Sequence, residues 1–167
     1  KYRSKRHIFK FTVAKILSQK LAQTQIDTDE MITGSLKMSV SEIVRKLGWD
    51  YFRDQEARLI KKVSKLTDKI ISTGGGVVTN FENVKNLRKN GTVFYLKTST
   101  KTLLTRHKDD DDYRPRLIKG KTPKEEIEIL YAKRNKLYQD AADYIIDTEN
   151  LEAEAVADRI ISIVGRR

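Results

Sequence analysis

Short runs rich in β-branched and aromatic residues alternate along the whole chain with longer amphipathic stretches. This alternation restricts the fold more than any other feature. Strands separated by helical stretches do not form hairpins; they pair parallel, with the helices crossing back over the sheet. The runs are His7–Phe11, Gln25–Asp27, Lys69–Ser72, Thr92–Leu96 and Tyr144–Asp147. They predict an α/β fold, a three-layer α/β/α sandwich around a five-stranded parallel sheet. No repeat and no Pro/Gly/Ser-rich linker divides residues 1–167, so a single domain is expected.

The intervening stretches carry their own start and stop signals. Thr12–Gln23 places Val13, Ile16, Leu17 and Leu21 at helical spacing. Ser39 and Glu42 have the spacing of a capping box opening a helix over Val40–Leu47. Gly48 is expected to stop it, with a second helix over Tyr51–Leu66. Asn80–Lys89 reads as a helix closed by Gly91 in the left-handed conformation. Thr100–His107 is a further helix. Thr122-Pro123-Lys124-Glu125 combines a threonine cap, a first-turn proline and a third-position glutamate, starting a helix that runs to Asp140. An amphipathic helix over Leu151–Val164 ends the pattern.

Composition removes several classes of function. With no cysteine, the chain has no disulfide framework, no cysteine-based zinc site and no thiol nucleophile. No apolar run approaches the roughly 20 residues of a membrane span. Lys1–Lys10 is basic but lacks the apolar core of a signal peptide, so a cytoplasmic location and no membrane partner are expected. The net charge of +11 suits a solvated basic surface or an enzyme that draws in small anions. The basic residues are scattered and no aromatic-basic motif accompanies them, so no nucleic-acid partner is expected.

In a parallel sheet, ligands bind beyond the carboxyl ends of the strands. Asp27 and Asp29, two apart on a segment expected to be extended, would project on one side there. Paired carboxylates can hold magnesium and accept a proton from a hydroxyl, although a turn or helix start uses the same acids. Gly74, Gly75 and Gly76 directly follow a strand and let the backbone approach a ligand. Arg53 and Glu56, three apart on a helical face, read as an ion pair that would also aim the arginine. Arg134 sits mid-helix, and arginine's fork recognises a carboxylate bidentately. Arg114 lies in the longest polar connection, Lys108–Lys121, where an arginine-bearing loop suits a lid over a transferring phosphoryl group. The run Asp109–Asp112 belongs at the solvent tip of such a loop.

Together these elements resemble a known family. Asp27-Thr28-Asp29, Phe52-Arg53 with Glu56, Ser72-Thr73-Gly74-Gly75-Gly76, Arg114-Pro115, and Arg134 with Tyr138 and Ala142-Asp143 resemble shikimate kinase in order and interval. The resemblance covers Ile8 to the C-terminus and implies a P-loop NTPase fold of the nucleoside monophosphate kinase type. It implies transfer of the γ-phosphate of ATP, with Mg2+, to the 3-hydroxyl of shikimate, on the way to chorismate and the aromatic amino acids. Asp29 would bind the reacting hydroxyls and serve as base, and Asp27 would hold the metal through water. Arg53 and Arg134 would clamp the shikimate carboxylate, while Gly74, Gly75 and Gly76 would contact its hydroxyls. Phe52 and Val44 would form an apolar wall. Arg114 would reach the phosphates, Arg106 would lie on the adenine, and Thr12 would stand beside the phosphates. The loop Asp147–Asn150 would hold the other side of adenine. The implied layout is a shikimate-binding helical region at about 29–66, a lid at about 108–121, and a monomer.

The motif that names P-loop kinases, Gly-x-x-x-x-Gly-Lys-Ser/Thr, is not in the chain. Where it would stand, the sequence reads His7-Ile8-Phe9-Lys10-Phe11-Thr12-Val13-Ala14-Lys15. Thr12 corresponds to the residue just after the motif's hydroxyl residue, and from Thr12 to Asp29 the register matches the family without a gap. With a strand at His7–Phe11, about eight residues of phosphate loop would be missing before Thr12. The rival function is a catalytically inactive shikimate-binding protein. Replacement of the loop's charge by Lys10 or Lys15 is a further alternative.

Overall fold

A computed structural model describes residues 8–107, 117–118 and 120–165. In chain order the elements are α1 (Ile8–Leu21), β1 (Thr24–Asp27), α2 (Thr28–Leu36), α3 (Val40–Val63), β2 (Lys69–Ser72), α4 (Phe81–Asn90), β3 (Phe94–Lys97), α5 (Thr100–His107), α6 (Pro123–Ala141), β4 (Tyr144–Asp147) and α7 (Ala153–Val164). A single 3-10 turn, Val77–Thr79, follows the glycine triplet. Among the described residues the strands form two parallel pairs, β1 with β2 and β3 with β4. Asp27 lies opposite Ser72, and Lys97 opposite Asp147, so each pair ends in polar residues at its carboxyl end.

The expected first strand is a helix. Ile8–Phe11 forms the first turn of α1, while His7 lies outside the described residues. The β-branched and aromatic composition that suggested a strand is overridden by a longer helical period. Phe9, Val13, Ile16, Leu17 and Leu21 all reach one apolar cluster with Val156, Ala157 and Ile160 of α7. Ile70 of β2 and Phe94 and Leu96 of β3 pack on that same cluster, so α1 lies against both strand pairs. This removes the inferred internal gap. Counting back from Thr12, Phe11 stands at the motif's hydroxyl position, Lys10 at its lysine and Phe9 at its second glycine.

Asp27 and Asp29 do not share an extended segment. Asp27 ends β1 and caps α2, its Oδ1 accepting from the backbone N–H groups of Asp29 and Glu30 at 3.0 and 3.1 Å. Asp29 is thus in the first helical turn, where negative charge suits the helix dipole. The two helices expected around Gly48 are present. They are numbered together as α3, but the non-helical backbone of Gly48 (ψ 166°) breaks the helix there as expected, and the second part ends at Val63. Gly48 has φ +85°, a conformation that a side chain would strain. Gly91 follows α4 but is extended, with φ −141°, rather than left-handed. β3 begins at Phe94, two residues later than expected.

Capping follows the local chemistry. Ser39 and Glu42 close a reciprocal box on α3, and Thr122 and Glu125 do the same on α6. In the second box Glu125 accepts from the Thr122 N–H and hydroxyl and from Lys121, which hold its carboxyl at about 2. The rest of the core lies under α3, where Ile60 and Val63 pack on Val77, and Ile43 and Phe52 on Ile32 and Val40.

Candidate active site

The first turn of α1 reaches the carboxyl ends of β1 and β2 and the helix that follows β3. The Lys10 ammonium donates to the carbonyl oxygen of Thr73 after β2 and stands 4.0 Å from Asp27 Oδ2. One residue earlier, the Phe9 ring lies 3.7 Å from the Arg106 guanidinium carbon on α5. Lys10, which the sequence offered only as an alternative source of the loop's charge, is the candidate residue whose place the strand assignment obscured. Its signal was the register running back from Thr12. Thr12 itself is half-buried in the same helix, two residues after Lys10, while Lys15 is exposed.

The glycine loop is where three expected residues meet. A Cβ on Gly74 would lie 2.8 Å from Asp29 Oδ1 and 3.2 Å from Glu56 Oε1. One on Gly76 would stand 2.2 Å from the Arg53 guanidinium. Between them, the Gly75 carbonyl oxygen accepts from Tyr138 Oη at 2.6 Å and from Arg134 Nη1 at 3.4 Å. Asp29, Arg53 and Arg134 are therefore gathered by three consecutive residues without side chains. The bare backbone is a steric requirement here.

Glu56 organises the arginines from beneath. It is 1% exposed, and its Oε2 accepts from Arg53 Nη1 at 2.8 Å. Burial pushes its carboxyl above the usual range, opposed by the Arg53 charge and its hydrogen bond; Asp29 adds to the rise and Arg134 reduces it. Trp49 and Phe52 flank the Arg53 guanidinium, with ring centroids 5.2 and 5.5 Å away. Phe52 is itself 3% exposed, so its ring acts mainly as the floor under Arg53. Val44 is half-buried in the same cluster.

On the other strand pair, Arg106 Nη1 and Nη2 donate to Thr148 Oγ1 and O at 3.3 and 3.1 Å. Arg106 is thereby separated from the two-arginine cluster and tied to the loop after β4. Desolvation lowers its pKa, with the nearby Glu149 and Glu152 charges opposing the change. Arg114 and most of the expected lid lie outside the described residues.

A lysine at the start of a helix, beside an aspartate that ends a parallel strand, suits a phosphate chain. Two arginines converging on a glycine loop next to a second aspartate suit a small carboxylated alcohol. The fold and site together define a small-molecule phosphotransferase of the parallel α/β class. The sequence matches the shikimate kinase family over residues 9–164. It is 41% identical over 152 residues to a shikimate kinase of Thermodesulfovibrio yellowstonii, covering 91% of this chain and 86% of that one. Against a Caldicellulosiruptor bescii shikimate kinase the identity is 40% over 154 residues, covering 92% and 88%. The solved structure of Acinetobacter baumannii shikimate kinase in complex with shikimate superimposes with a TM-score of 0.88 at 28% identity, covering 94% of this chain and 87% of that one. The Aquifex aeolicus shikimate kinase structure gives 0.79 at 32% identity, covering 94% and 90%.

The chain belongs to the shikimate kinase family. Its fold is accordingly of the P-loop NTPase-like α/β type, and ATP is its co-substrate. Family membership favours an enzyme over a bare shikimate-binding protein. No described helix is long and apolar enough to cross a membrane.

Proposed function

We propose that this chain phosphorylates the 3-hydroxyl of shikimate with Asp29 as base, Arg53 and Arg134 as the carboxylate clamp, and Lys10 on the phosphates. The observation that carries the reading is the convergence of Asp29, Arg53 and Arg134 on Gly74–Gly76, with Lys10 reaching the same loop at Thr73. The clamp fixes the ring by its carboxylate, and Gly74, Gly75 and Gly76 offer backbone groups to its hydroxyls. Asp29 stands beside Gly74, where it takes the proton of the attacking hydroxyl as that oxygen bonds the γ-phosphorus and the bond to the departing ADP oxygen breaks. Lys10 and Arg114 meet the charge of the phosphates, with Thr12 beside Lys10 in the same helical turn. Positioning and electrostatic stabilisation supply most of the rate in such a transfer.

Asp27 fits a water-mediated Mg2+ site. Its Oδ1 caps α2 while its Oδ2 faces Lys10, and magnesium usually keeps several waters when it meets one or two carboxylates and a substrate phosphate. When bound, the ion offsets phosphate charge. Phe11 leaves Asp27 without the motif's hydroxyl as a co-ligand.

Arg106, set between the Phe9 ring and the loop after β4, receives the adenine. The two strand pairs belong to one parallel sheet in a three-layer sandwich, the five-stranded sheet expected from the sequence. The shared packing of Ile70, Phe94 and Leu96 on α1 supports this arrangement. Asp29, Arg53, Arg134 and Lys10 all come from one chain, which supports a monomer, and the reading keeps it cytoplasmic, without nucleic-acid or membrane partners. Phosphorus NMR of the product made from ATP and shikimate tests the reading. A single phosphomonoester on the 3-oxygen is expected; phosphate on another oxygen would overturn the placement of Asp29.

A further inference from the structure

Arg106 is the second-turn end of a longer polar seam. Ser99, Thr102 and Arg106 lie at i, i+3 and i+7, one face of α5 and its cap. Ser99 Oγ accepts from the Thr102 N–H at 3.2 Å and so caps the helix. Glu149 then collects the whole first turn. Its Oε2 accepts from Thr98 Oγ1 and from the Ser99 N–H, each at 2.7 Å. Its Oε1 accepts from Ser99 Oγ at 2.7 Å and Thr102 Oγ1 at 2.6 Å. The preceding residue, Thr148, is fully buried, is anchored through its N–H and Oγ1 to the Lys97 carbonyl oxygen, and receives both Arg106 hydrogen bonds. Two adjacent residues of the β4–α7 loop therefore hold the two successive turns of α5.

We propose that Glu149 is a positioning residue for the nucleobase: by gripping Ser99 and Thr102 it fixes the face of α5 that presents Arg106 to the base. The proposal rests on Arg106 being the base-stacking arginine. With Phe9 on one face and Thr148 at its edge, the Arg106 plane is set before a base arrives on the opposite face. A preset plane loses less rotational freedom on binding than a swinging one. The device requires an acceptor-only group, because all four partners of Glu149 donate. The hydrogen bonds from Thr102, Ser99 and Thr98 hold its carboxyl at about 2, so it stays ionised at neutral pH. An amide there would turn an N–H toward donors.

The test is steady-state kinetics on Glu149→Ala, Arg106→Ala and the double variant, with ATP and shikimate varied separately. Each single variant should raise the KM for ATP about tenfold, a change of 1.4 kcal/mol, while the KM for shikimate stays within about twofold. The double variant should be no worse than Arg106→Ala alone, because Glu149 acts through Arg106. Multiplying effects in the double variant, or equal increases in both KM values for Glu149→Ala, would overturn the proposal while leaving Arg106 in the base site. An unchanged ATP KM in Arg106→Ala would overturn the base-stacking reading and the proposal with it. If Glu149→Ala does not fold, Glu149→Gln takes its place under the same outcomes.

Discussion

Gly76 and Arg53 are so close that a methyl group on the glycine would stand 2.2 Å from the guanidinium. The atoms it would meet are the far end of a flexible side chain, so the arginine would swing aside while the fold is kept. Gly76→Ala should therefore imitate Arg53→Ala. Both should weaken shikimate binding about tenfold to a hundredfold, the scale of a charge-assisted hydrogen bond, and both should lower Tm because buried Glu56 loses its partner. Trp49, the chain's single tryptophan and a neighbour of Arg53, provides a fluorescence signal for the titration. Unchanged affinity in both variants would remove Arg53 from the clamp.

Arg134 approaches from α6 and meets the same loop one residue earlier, through the Gly75 carbonyl oxygen. Arg134→Lys should bind shikimate almost as poorly as Arg134→Ala, because an ammonium cannot present the bidentate fork. Isothermal titration of both variants checks this. Near-complete rescue by lysine would reduce the role of Arg134 to simple charge.

The parts of the site that depend on near neighbours were legible from residue types alone. The Arg53–Glu56 pair and both capping boxes join residues three apart, and the structure contains each of them. The strands Lys69–Ser72 and Tyr144–Asp147 also fall where their composition places them. Competing periods hid the rest. Ile8–Phe11 has the composition of a strand, but its continuation through Val13 and Leu17 reveals a helix. The misassignment carried Lys10 away from the site. α2 escaped notice because β-branched residues and Gly34 dilute its propensity, leaving the Asp27 cap to start it. The Glu149 seam joins two strand ends, β3 and β4, about 50 residues apart in sequence, and no local pattern encodes such a meeting.

Glu56 makes stability depend on pH in a definite direction. Its folded carboxyl titrates above its ordinary value of 4.5 because burial disfavours the charge. As pH rises through 4.5 the unfolded chain ionises first, so folding stability falls until the raised folded value is passed. Glu56→Gln lacks this loss. Its Tm relative to the wild type should become more favourable as pH rises above 4.5, measured by calorimetry. A relative Tm that falls instead would show that pairing with Arg53 outweighs burial. Glu125 and Glu149, held at about 2, act below that window: their stabilisation is present above 4.5 and lost as pH falls toward 2.

Asp29 and Lys10 should separate binding from chemistry. Asp29→Asn keeps a polar group beside Gly74 but cannot accept the proton, so kcat should fall about 10²- to 10⁴-fold with modest change in shikimate affinity. Lys10→Met should lower kcat by about 10²- to 10³-fold, as expected for a lost electrostatic contact to developing charge, without altering shikimate binding. Single-turnover kinetics with the Trp49 titration distinguish the two effects. Full activity in either variant would remove that residue from the machinery.

The most direct measurement of the central claim is ADP release from ATP with and without shikimate. The Phe9 and Phe11 side chains that flank Lys10, in place of a glycine and a hydroxyl, make this the decisive point. ADP formation that depends on shikimate and is lost in Asp29→Asn is the predicted result. Shikimate binding that alters Trp49 fluorescence without any shikimate-dependent ADP release would contradict it.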